Sequence, residues 1–114
     1  MIEHLALTVS DLRRSAEFYD AALAPLGWRR LRDEAGAVGW GLVEPVLLVV
    51  AGPPPTAGAV QVRIGARGSV AVRMAFSAAV AGGGQALTPP ARHGARTSAV
   101  VADPDGHRIE IAAL

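Results

Sequence analysis

Val101–Ile111 reads V-A-D-P-D-G-H-R-I-E-I. Asp103-Pro104-Asp105-Gly106 is a tight turn by its own chemistry. An aspartate at the first position can bond its own backbone, proline at the second presets φ, and glycine at the fourth allows positive φ. Apolar residues flank the turn, Ala99, Val100 and Val101 before it and Ile109 and Ile111 after. The stretch therefore predicts a β-hairpin. In its second strand His107, Ile109 and Ile111 point one way, Arg108 and Glu110 the other. Glu110 is thus a carboxylate in mid-strand, opposite an apolar stripe. It needs no explanation if its face is open solvent; if that face lines a cleft, Glu110 is a ligand or a base.

The whole chain has 114 residues, enough for a single domain, 1–114. Half of the residues are hydrophobic, but only five are aromatic. The core must therefore come from Val, Leu, Ile and Ala. The net charge of +1, without a basic run, argues against nucleic acid as a partner. The absence of cysteine excludes disulfides and thiolate metal sites. No apolar run approaches the roughly 20 residues needed to span a membrane, and M-I-E-H-L does not open a signal peptide. A cytoplasmic protein with no membrane partner is the expectation.

Ile2–Val9 alternates as a strand, with Leu5, Leu7 and Val9 on one face and His4, Ala6 and Thr8 on the other. Ser10 is read as the N-cap of a helix carrying Leu12, Ala16, Tyr19 and Leu23, which Pro25 and Gly27 end. Trp28–Arg32, Val38–Val43 and Val46–Val50 read as three strands. Residues 51–58, A-G-P-P-P-T-A-G, read as a linker. The pattern then restarts. Val60, Val62 and Ile64 alternate, Ser69 is a plausible N-cap, and Val72, Phe76, Ala79 and Val80 make a helical stripe stopped by Gly82-Gly83-Gly84. Gln85–Thr88, Arg96–Ala102 and His107–Ala112 are three more strands, with Pro89–Ala95 read as a loop. Both halves, 1–50 and 59–114, are β-α-β-β-β. Adding 57 to a position carries His4 to Gln61, Leu7 to Ile64, Tyr19 to Phe76 and Leu23 to Val80, a duplication signal.

The opening I-x-H-L-x-L-x-V-x-D-L, the S-x-x-F-Y downstream and the closing D-P-D-G-x-x-I-E, set on two such modules, resemble the vicinal oxygen chelate superfamily. That group includes glyoxalases, extradiol dioxygenases, epimerases and the bleomycin- and fosfomycin-resistance proteins. The resemblance implies an α+β fold in which two βαβββ modules form a cupped mixed sheet, with helices on the outer face and ligands inside. It also implies a homodimer, because small members usually pair.

Carried over by position, the resemblance makes His4 and Gln61 metal ligands on the first strands and Glu110 a ligand on the last. A fourth ligand would fall in Val46–Val50, which offers only Val and Leu. The alternation of the strands agrees, since His4, Gln61 and Glu110 each lie opposite an apolar stripe. Such a set suits a divalent Zn, Ni, Co, Fe or Mn ion. The ion would act as a Lewis acid on adjacent substrate oxygens, with Glu110 moving the proton. The residues themselves leave a plainer reading open, in which Glu110 pairs with Arg63 or Arg108. Arg63, Trp40, Arg108 and His93 are the expected small-molecule contacts. Trp28 and Trp40 can equally line a pocket or fill the core. The function expected is a metal-dependent lyase, isomerase or dioxygenase. The alternative is a metal-free protein that binds and sequesters a small molecule, as the bleomycin-resistance members do.

Overall fold

A computed structural model describes residues 1–114. Strand β1 (Leu5–Val9) leads into helix α1 (Leu12–Leu23) and a short 3-10 turn, Ala24–Leu26. Strands β2 (Arg29–Glu34), β3 (Ala37–Gly41) and β4 (Leu47–Ala51) complete the first module. The second repeats the order with β5 (Gln61–Gly65), α2 (Ser69–Ala81), β6 (Gln85–His93), β7 (Arg96–Ala102) and β8 (Arg108–Ala113). The expected α+β pair of βαβββ modules is what the chain forms. The mixed sheet is built as two four-stranded halves, β1-β4-β3-β2 and β5-β8-β7-β6, in which β1 pairs parallel with β4 and β5 parallel with β8.

Each helix lies on one face of its own sheet, and α1 packs against α2. The apolar stripes of the strands point under the helices. Leu7, Val9, Val38, Trp40 and Val49 meet Phe18, Tyr19 and Leu23 in the first module. Ile64, Ala99, Val101, Ile109 and Ile111 meet Val72, Ala75 and Ala79 in the second. All of these are buried in one continuous core.

Several element ends differ from the sequence reading, each for a physical reason. Strand β1 starts at Leu5, which leaves His4 ahead of it. Its ladder runs along Leu47–Ala51, and Pro45 stops β4 from reaching further back. The N-cap of α1 is Asp11, whose Oδ1 accepts from the Arg14 N–H; Ser10 is engaged elsewhere. The N-cap of α2 is Gly68, without a side-chain bond, and Ser69 is already helical. In α2 the buried residues are Val72, Ala75 and Ala79, while Phe76 is half-buried and Val80 is exposed. Pro89–Ala95 is not a loop, because β6 continues to His93 and turns at Gly94, where φ is 63°. The two prolines fit there because β6 is an edge strand and its ladder slips between Thr88 and Ala91. At the other end of the first sheet, Gly41 is needed because a Cβ there would overlap the Glu44 carbonyl where the chain turns back.

Candidate functional site

The turn of the closing hairpin has a second task. Asp103 is buried, and its Oδ1 accepts the N–H groups of Asp105 and His107, both at 2.9 Å. Its Oδ2 accepts the Tyr19 hydroxyl at 2.6 Å, 84 residues away in α1. His107, also buried, donates from Nε2 to the Thr8 carbonyl at 2.8 Å, since a carbonyl can only accept. Ser10 donates its hydroxyl to Asp105 Oδ1 at 2.6 Å and its N–H to Oδ2 at 3.1 Å. This polar clasp ties β1 and α1 of one module to the β7–β8 turn of the other. Burial, followed by the charge of Asp103 and the bond to it, pushes the Tyr19 hydroxyl well above its ordinary value of 10.0. None of the five main hollows of the molecule is lined by Asp103, Asp105 or His107.

The open face of the second sheet carries the other polar group. Arg63 and Glu110 are direct neighbours in the β5–β8 ladder. Arg63 Nε donates to Glu110 Oε1 at 2.9 Å, and Gln61 Nε2 approaches the same oxygen at 3.5 Å. The Arg63 side chain is 59% exposed and that of Glu110 13%. Three of the expected site residues are thus brought together. His4 is exposed ahead of β1 and bonds to neither Gln61 nor Glu110. Nowhere in the chain do three His, Asp or Glu side chains gather closely enough to hold a metal ion. The donor set within one chain does not fit a divalent cation. Glu110 already has a guanidinium on one oxygen, and Gln61 turns its NH2 rather than its oxygen toward it. The place of the missing fourth ligand is Leu48, which lies beside Ala6 and Gly39.

The remaining sequence assignments separate. Trp40 is fully buried, its ring tilted 43° to that of Tyr19 at 5.4 Å, with its indole N–H on Asp20 Oδ1 at 2.8 Å. It is core and contacts no cleft, contrary to its expected place among the small-molecule contacts. Asp20 also takes Arg30, at 2.6 Å, and this bond raises the Arg30 guanidinium above its usual range. Arg108 is exposed on the face of Glu110, opposite Gln61. His93 is exposed at the tip of the β6–β7 hairpin.

A cleft that the sequence reading did not foresee lies where residues of the two modules meet. A hollow of about 180 Å³ is lined by Leu5, Trp28, Val46 and Leu47 of the first module and Val62, Arg63, Ile64 and Gly65 of the second. Trp28 and Val46 also line an adjoining hollow of about 390 Å³, with Leu42, Val43 and Glu44. Val43 is 87% exposed and Leu42 56%, an apolar rim around a half-buried tryptophan. The sequence reading puts Leu42 and Val43 at the end of a strand, but β3 stops at Gly41 and leaves both apolar side chains exposed.

The chain resembles solved structures over its whole length. A glyoxalase/bleomycin resistance protein from Albidiferax ferrireducens superposes with a TM-score of 0.87 at 24% identity, covering 98% of this chain and 97% of that one. A glyoxalase-related enzyme from Fulvimarina pelagi gives 0.81 at 25% identity, covering 100% and 88%. The fosfomycin resistance protein FosX from Mesorhizobium loti gives 0.77 at 15%, covering 100% and 92%, a likeness of fold alone. No curated protein matches the sequence. No helix is long and apolar enough to cross a membrane. Residues 1–111 match the profile of the Glyoxalase/Bleomycin resistance protein/Dioxygenase superfamily, and with the paired βαβββ fold this places the chain in that family.

Proposed function

We propose that the protein binds a small molecule with a flat apolar body, without a metal ion, in the cleft where the two modules meet. One observation carries the reading. The cleft is lined by Leu5, Trp28, Val46, Val62 and Ile64, and its one charged side chain, Arg63, is already paired with Glu110. Apolar clefts with few polar groups are the usual form of small-molecule sites. Burial of ligand area there supplies about 25 cal/mol per Å², and the indole face of Trp28 favours aromatic rings. Arg63, held by Glu110, puts a positive charge in the wall of the cleft, which disfavours a cation there. The expected role of Glu110 as catalytic base has less support, because its Oε1 is taken up by Arg63. Association into a homodimer belongs to the same proposal and is read by light scattering.

Titration with the neutral fluorophore N-phenyl-1-naphthylamine tests the reading. One equivalent is expected to bind and to quench tryptophan emission. Trp28→Ala should weaken binding about tenfold, whereas the emission of buried Trp40 should persist. Elemental analysis of protein purified without chelator is the second arm. About one Zn, Ni, Co, Fe or Mn per chain, lost in Glu110→Ala, would overturn the metal-free reading and restore His4, Gln61 and Glu110 as its ligands.

A further inference from the structure

The apolar cleft does not end at Arg63. Arg63 and Gly65 also line a separate basin of about 320 Å³, together with Arg67, Arg96, Ala112 and Leu114. Three arginines therefore line one hollow. Arg63 is the only one with an ion-pair partner; neither Arg67 nor Arg96 pairs with an Asp or Glu side chain. The larger hollow of about 500 Å³ between α1 and the β2–β3 hairpin is different. There Arg13 and Arg30 are answered by Glu17, Asp33 and Glu34, and Arg13–Glu17 and Arg30–Asp33 are ion pairs. Arg67 and Arg96, two like charges with no Asp or Glu side chain paired to either, raise the energy of the empty protein, and an anion relieves it. Every cation among the side chains of the sequence, histidine aside, is arginine. The planar fork of arginine suits carboxylate, phosphate and sulfonate oxygens.

Gly65 is the joint between basin and cleft. It ends β5, and a Cβ built on it would meet no atom within 4 Å. A ligand can cross there from apolar wall to basic wall.

We infer that the ligand is amphipathic, an apolar body in the Trp28 cleft carrying one anionic head that sits in the Arg63–Arg67–Arg96 basin. The inference rests on the binding reading above and names the class of molecule it takes. A neutral aromatic fills only half of the site. A free inorganic anion fills the other half and gains nothing from the cleft.

A matched pair of probes tests it on the full chain. 8-Anilinonaphthalene-1-sulfonate is N-phenyl-1-naphthylamine with a sulfonate added. The sulfonate is expected to bind one equivalent at least tenfold more tightly than the neutral probe, and raised sodium chloride should weaken it alone. Arg67→Gln and Arg96→Gln should each weaken the sulfonate about fivefold and leave the neutral probe within twofold. Arg67 is exposed and Arg96 half-buried, and a thermal melt confirms that the variants fold. Gly65→Val, which fills the joint, should weaken the sulfonate as well. Competition by 1-naphthoate and by 1-naphthyl phosphate distinguishes a carboxylate head from a phosphate head. If the neutral probe binds and the sulfonate binds no better, the anionic basin is overturned and the apolar cleft stands. If neither binds, both fall. Loss of both probes in equal measure in Arg67→Gln and Arg96→Gln also overturns the inference, as does failure of both acids to compete.

Discussion

Leu48 lies between Ala6 and Gly39 in the first sheet; Glu110, at the matching place in the second, lies between Arg63 and Val100. The match follows from register, because Leu7 pairs with Val49 as Ile64 pairs with Ile111, one residue further along. In the first sheet the place is closed. Gly39 has no side chain, a Cβ there would come 3.0 Å from Pro45 Cβ, and Leu48 is 5% exposed. In the second it is open and charged. A duplicated module thus gives one apolar half, which contributes mostly to the fold, and one half whose ion pair has its guanidinium in water and its carboxylate half-buried. A pair open to solvent at one end contributes modestly to stability, so the second sheet is freer to serve a ligand.

The largest test moves the charge across. Leu48→Glu places a carboxylate at a buried position without a partner, and unfolding in urea should show a loss of about 3 kcal/mol or more. Adding Ala6→Arg, on an exposed neighbour, recreates the Arg63–Glu110 arrangement and should recover about 1 kcal/mol. Absence of any recovery would mean that packing alone separates the two sheets.

The helices offer the next contrast. Tyr19 is fully buried and bonded to Asp103, while Phe76, its match in α2, is half-buried. Tyr19→Phe should cost about 1–2 kcal/mol by leaving a buried Asp103 oxygen without its donor. It should also change the pH profile. The folded state holds the Tyr19 proton above the ordinary value of 10.0, so its stabilisation is complete below that pH and declines as pH rises past it. Denaturant midpoints between pH 9 and 11, taken as roughly one unit either side of the free tyrosine value, should fall in the parent chain more steeply than in Tyr19→Phe. Phe76→Tyr should change stability by less than about 1 kcal/mol, because the half-buried ring keeps its packing and the added hydroxyl can reach solvent.

The smallest expected effect comes from removing the ion pair. Arg63→Ala with Glu110→Leu copies the first sheet onto the second and should leave stability within about 1 kcal/mol. Sulfonate binding should nevertheless fall, which would separate the folding role of this place from its ligand role.

These contrasts also mark what the sequence makes legible. Alternation and turn chemistry are local, so both modules, the Asp103-Pro104-Asp105-Gly106 hairpin and the shared face of Gln61, Arg63 and Glu110 could be read directly. Partners far along the chain could not. Asp103 looks like a turn former, and nothing near it announces Tyr19. Trp40 stands between two glycines, so its neighbours do not show which face it takes; Asp20 and Tyr19 decide it from α1. His4 continues an alternating pattern, but the strand ends where its partner strand ends, and Pro45 sets that limit. In α2 the large Phe76 suggests the core, yet the alanines at 75 and 79 hold the buried face. The cleft beside Trp28 is made by residues of both modules and belongs to no single segment.

The bonds Ser10–Asp105, Thr8–His107 and Tyr19–Asp103 close loops of 95, 99 and 84 residues. Loops of this length carry a closure entropy that is repaid only when most of the chain is already in place. The clasp is therefore expected to form after the main folding barrier, and a weakened clasp should act on the way out. Asp105→Ala should leave the refolding rate nearly unchanged and shorten the lifetime of the folded state. In kinetic terms the Asp103-Pro104-Asp105-Gly106 turn works as the last latch to close and the first to open.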